Sequence, residues 1–162
     1  MHLAVRALGK FAGPVMRFAP AGAGETQVKS LWRKLAPLIW LAGEDQAMAV
    51  ALADLGRAME MQTALMGAFA DLVGHVQVME GRMVEEMSEL VHWVVVNYHA
   101  VWPKQRLRAS AALTDLLCAL HSRPGSPVLP DLLARVARPA LLVTLRMAVC
   151  LYPRQTDQIL TA

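Results

Sequence analysis

Residues 48–94 read MAVALADLGRAMEMQTALMGAFADLVGHVQVMEGRMVEEMSELVHWV. Steps of four and three residues join Met48, Leu52, Leu55, Met59, Gln62, Met66, Phe69, Val73, Val76, Glu80, Met83, Met87, Leu90 and Val94 into one ladder, and twelve of its fourteen rungs are apolar. Apolar side chains at that period line one edge of a helix, so the ladder is a seam made to face another helix. Gln62 and Glu80 are its two polar rungs, placed to set register or partner choice. The pattern points to an interaction protein and names no reaction.

Outward from the ladder, Glu44 and Asp45 suit the positive end of a helix, and Trp102-Pro103 ends one. The expectation is a single very long central helix over 44–100. Its ladder alone would rise about 70 Å at ~1.5 Å per residue, whereas a compact chain of this size spans roughly 40 Å. Such a helix either breaks or projects into other molecules. Gly67, Gly74 and Gly81 recur every seven residues, each costing about 1 kcal/mol relative to Ala in a helix interior. They are the candidate break points, or else a strip over which a second helix approaches closely. Leu65, Leu72, Met79 and Trp93 widen the apolar face on the other side, so contact from more than one direction is expected.

Shorter helical patterns flank this segment. Val28, Leu31, Trp32, Leu35, Leu38 and Ile39 form a stripe within 26–42, with Pro37 placed to kink it or shift its end. A helix from about 104 to 120 has Leu107, Ala111, Leu113, Leu116, Leu117 and Leu120 assigned inward, and Ser122-Arg123-Pro124-Gly125-Ser126-Pro127 breaks it. A last helix opens at Asp131, runs through Leu132 to Val149 with Pro139 inside it, and ends at Tyr152-Pro153. No useful strand alternation is present, and the fold class is all-α: a helical bundle around one long helix with shorter helices beside it. The domain reading is a basic arm over 1–24, one helical domain over 25–153 and a polar tail over 154–162.

With 56% apolar and 18% charged residues, the 162-residue chain exceeds the usual apolar share and falls short of the usual ~25% charge. Surface is therefore to be hidden against partners or lipid. The charge-free run Leu90 to Pro103 contains His92, Asn97 and His99, so no transmembrane segment is expected, while contact with a membrane surface remains open. Charge falls in blocks: six basic residues against Glu25 over 1–34, nine acids against Arg57 and Arg82 over 44–89, and eight basic residues against three acids over 104–157. Arg6, Lys10, Arg17, Lys104, Arg106 and Arg108 are the candidate contacts for an acidic partner or for phosphates. The first twenty residues, with Arg6, Lys10 and Arg17 among apolar residues and no acid, have the character of a mitochondrial targeting segment or of a basic arm lying on a neighbour.

Catalytic constellations are thin. Glu89-Leu-Val-His92 has the Glu-x-x-His spacing of di-iron bundles, but the other helices supply no second element. Cys118 and Cys150 are isolated among apolar residues, without a metal-ligand spacing, and read as buried reduced thiols. His2, His75, His99 and His121 are scattered. The expectation is a non-enzymatic structural subunit of a multi-protein complex, without cofactor or metal, acting through helix packing. One setting is a mitochondrial complex, as an accessory subunit. The alternative is a helical coat protein of a filamentous virus-like assembly, contacting nucleic acid through its basic arms and residing in the virion.

Overall fold

The computed structural model describes residues 23–39, 52–123 and 128–135. They form five α-helices: α1 (Ala23–Leu35), α2 (Leu52–Val73), α3 (Gly81–Asn97), α4 (Pro103–His121) and α5 (Val128–Arg135), with a 3-10 turn at Tyr98–Ala100 after α3. No strand occurs among the described residues, and the chain is all-α there. The segments 1–22, 40–51, 124–127 and 136–162 lie outside the description. With them go the basic arm with Arg6, Lys10 and Arg17, the rung Met48, the start at Glu44, Cys150 and the polar tail.

The single very long central helix is not found. Within its described part, α2 stops at Val73 and α3 begins at Gly81, with turn and bend at 74–80. α2, at 22 residues, is the longest of the described helices. The break uses two of the three candidate glycines, Gly74 and Gly81, whereas Gly67 stays helical inside α2. The physical reason is burial. Straight continuation would carry half the ladder away from the domain, whereas a turn at 74–80 brings α3 back against α2 and α5, at positions where helix is already weakened by glycine.

The ladder survives the break. Met59, Met66, Phe69, Val73, Val76, Met83, Met87, Leu90 and Val94 are all buried, and Leu55 is partly buried against them. The seam therefore faces the chain's own core. α2 packs most extensively on α4 and also touches α3 and α1, and α5 rests on α3 and α4. Truncating a fully buried rung such as Phe69 to Ala costs about 3–5 kcal/mol.

α1 follows its stripe: Val28, Trp32, Leu35 and Ile39 are buried, with Leu31 and Leu38 packed at the edge. It is interrupted at Ala36, since Pro37 has no N–H to continue the ladder, and residues 37–39 are helical again, with Ile39 N–H bonding Ala36 O at 3.0 Å. Glu25 in its first turn and Arg33 and Lys34 in its last match the helix dipole. α4 begins at Pro103, where a missing N–H costs nothing, after an extended Trp102 with φ −65° and ψ 151°. Its inward face is Leu113, Leu116, Leu117 and Leu120, as expected, but Ala111 is only half-buried and Leu107 points out. At about 100° per residue, Leu107 stands nine positions and half a turn away from Leu116. α5 starts at Val128, three residues before Asp131, with Pro130 in its first turn, where the N–H groups have no intrahelical partner.

Candidate functional site

Five polar side chains are buried among the described residues: Gln62, Glu86, Ser88, Ser110 and Thr114. Each makes a hydrogen bond, three of them to another element of the fold and two within their own helix. The Glu86 carboxylate accepts from the Trp32 indole Nε1–H at 2.8 Å and from Arg82 Nε–H at 2.9 Å. Trp32 also stacks on Phe69 with ring centroids 4.2 Å apart. One side chain of α1 thus joins α2 through an apolar face and α3 through a polar edge. The polar rung Gln62 donates from Nε2 to Leu38 O at 3.4 Å, tying α2 to the helical residues 37–39 that follow α1, while its Oε1 has no partner among the described residues. Tyr98 and Ser110 share a hydroxyl pair at 2.9 Å. Thr114 and Ser88 each donate to the carbonyl one turn back, Ser110 O and Val84 O, the local bond such hydroxyls favour inside helices.

The break at 74–80 is held from outside. Arg123 donates from one terminal nitrogen to Val73 O at 2.7 Å and Val76 O at 2.6 Å, and from the other to Gln77 O at 2.9 Å. A C-terminal helix end leaves carbonyls without partners and carries partial negative charge, and a planar guanidinium satisfies both demands at once. On the other side the Glu25 carboxylate accepts from Gln77 N–H at 3.3 Å. Lys29 lies 3.3 Å from both Glu25 and Glu80. Those carboxylates, Glu25 first, hold the Lys29 ammonium above its ordinary 10.5 despite some desolvation. Glu80, the second polar rung, is thus an exposed residue at the start of α3.

The glycines expected to form a close-approach strip do not form one. A Cβ on Gly67, Gly74 or Gly81 would meet nothing within 4 Å. Close approach occurs at Gly56 instead, where a Cβ would lie 2.9 Å from Gln105 Nε2. Gln105 uses both ends of its amide: Nε2 donates to Gly56 O at 3.1 Å, and Oε1 accepts from Trp102 N–H at 3.2 Å. It caps α4 and fastens it to α2 in one residue.

The cationic cluster Lys104, Arg106 and Arg108 is split by the helix. Arg106 turns back and donates from Nε to Val101 O at 2.9 Å. Arg108 is half-exposed, with a guanidinium nitrogen 3.8 Å from Glu60 on α2. Lys104 is exposed. Beside them Trp102 is 71% exposed and Leu107 41%. Glu89 and His92 are both exposed on α3, and no group of three or more His, Cys, Asp or Glu suited to a metal occurs among the described residues. Cys118 is half-buried, with its thiol pushed up by burial and then by the charge of Asp115. No described helix is long and apolar enough to cross a membrane.

Sequence reasoning passed over Arg123, Glu86, Gly56 and the outward Trp102. Arg123 reads as part of a breaker loop, and its partners lie 46 to 50 residues away, so no local signal marks it. Glu86 did carry one. It sits about 40° round the helix from Leu90, inside the apolar arc rather than opposite it. Comparison with protein-family models, with curated proteins and with solved structures finds no match to this chain.

Proposed function

We propose that the chain is a non-enzymatic structural subunit of a larger multi-protein assembly. The observation that carries this reading is the use of the interior: of the five buried polar side chains among the described residues, Gln62, Glu86 and Ser110 bond to another element of the fold and Ser88 and Thr114 to their own helix, which is the economy of a scaffold. The assembly half rests on what is left outside. Val78 and Val96 are 68% and 54% exposed in a chain with a large apolar excess, and exposed apolar side chains are what a partner surface covers. The contact surface is then the outer side of the helices, since the ladder is spent on the core.

The test is the solution mass of the full chain by light scattering at low and high salt. A multiple of the chain mass that persists in high salt is expected, because apolar packing is not screened. Val96→Glu should reduce it while leaving the helical content and melting temperature unchanged. An oligomer indifferent to Val96→Glu and to Val78→Glu would overturn the proposal, and a chain monomeric at both salt levels would exclude self-assembly and leave only other chains as partners. Phe69→Asp is not a clean probe of assembly, because Phe69 is fully buried against Trp32 and the variant would unfold the monomer.

A further inference from the structure

We infer that the start of α4, from Trp102 to Arg108, is a docking surface for an anionic lipid bilayer. At about 100° per residue, Pro103, Lys104, Leu107 and Arg108 fall within an arc of about 140°, and that arc is the outer one, opposite Leu113, Leu116, Leu117 and Leu120 in the core. All four residues are exposed. Lys104 and Arg108 both lie to one side of Leu107, about 60° and 100° round the helix from it, and the 71%-exposed indole of Trp102 leads into the same turn. An indole has an apolar body with one polar N–H, which suits the boundary between headgroups and acyl chains. Lysine and arginine stems lie along apolar surface while their heads reach phosphates.

Charge selects the occupant. Lys104 and Arg108 complement an anionic surface, and although Glu60 lies 3.8 Å from one Arg108 nitrogen, the Arg108 side chain remains 54% exposed. Asp115 is the next acid on the outer face, two turns further along α4. A single-stranded nucleic acid would use a cationic groove with several aromatic platforms. Here one aromatic ring is followed by Pro103 and Leu107 on the convex side of a helix, and aliphatic groups of that kind gain by entering lipid and offer no face for a base. Because the surface does not include Val78 or Val96, it stands apart from the assembly reading.

The experiment is co-sedimentation of the full chain with phosphatidylcholine vesicles and with vesicles that also contain phosphatidylglycerol. Binding to the mixed vesicles, weakened by salt, is expected, with little to the neutral ones. Each charge near such a surface is worth about fivefold in affinity, so Lys104→Glu should weaken binding about thirtyfold, and Trp102→Ala about tenfold. Both positions are exposed, and an unchanged melting temperature shows that the fold is intact. Equal binding to the two vesicle types would overturn the inference, as would mixed-vesicle binding that neither variant alters. Absence of vesicle binding together with salt-sensitive capture of a single-stranded oligonucleotide would also overturn it, and would assign the surface to nucleic acid.

Discussion

Removing the Arg123 guanidinium tests the idea that the turn between α2 and α3 is held by a residue 46 to 50 positions away in the chain. Arg123→Ala deletes three bonds, at 2.7, 2.6 and 2.9 Å, to Val73 O, Val76 O and Gln77 O. Charged donors contribute about 1.5–3 kcal/mol each when buried. The two from the part-buried nitrogen are taken at the low end, about 1.5 kcal/mol apiece, and the exposed one at about 0.5 kcal/mol. Ordering the arginine side chain costs about 1 kcal/mol against that sum. The expected loss is about 2–3 kcal/mol, a fall in melting temperature of about 5–10 °C at this chain length. Arg123→Lys keeps the charge at the negative end of α2 but cannot reach three carbonyls, so it should recover less than half. Urea unfolding followed by circular dichroism measures both, and amide exchange near 72–77 should speed up ahead of the rest of α2. A loss below about 0.5 kcal/mol for Arg123→Ala, or a Lys variant indistinguishable from the parent, would refute the reasoning.

Three further predictions come from the glycines and from the Lys29 network. Gly67→Ala should stabilise the fold by about 1 kcal/mol, since its Cβ would meet nothing within 4 Å; a destabilised variant in thermal melts would mean that something does approach there. Gly56→Ala should be close to neutral, because the same gain is offset when its Cβ displaces the Gln105 amide 2.9 Å away, yet in a Gln105→Ala background it should stabilise by about 1 kcal/mol. Equal effects in both backgrounds would dismiss the clash. Lys29 is held above 10.5 in the folded chain, so folding favours its protonated form. The contribution is fully present below 10.5 and is lost as pH rises through the higher folded value. The melting-temperature advantage of the parent over Lys29→Met should therefore be flat from neutral pH to about pH 9 and shrink at more alkaline pH; an advantage that instead shrinks on acidifying from pH 9 to neutral would contradict this.

The sequence by itself determined the fold class and most of the burial. Period decides which face of a helix is apolar, whatever comes to cover it, so the ladder marked an apolar face; that its apolar rungs from Met59 to Val94 cover the chain's own core, rather than a partner, came from the tertiary structure. Local chemistry likewise carried the interruption of α1 at Pro37 and the start of α4 at Pro103, because a missing N–H acts on its own turn. Tertiary structure decided the rest. A ladder that continues in register through Gly74 and Gly81 is equally consistent with one helix or two. The choice belongs to the return of α3 onto α2 and to Arg123 and Glu25, which satisfy the backbone of the turn from 46 to 52 residues away. The Trp32–Glu86 bond, across 54 residues, and the Gly56–Gln105 contact, across 49, are equally invisible to periodicity. They depend on which side chains meet in space, and the period of a single helix holds no information about that.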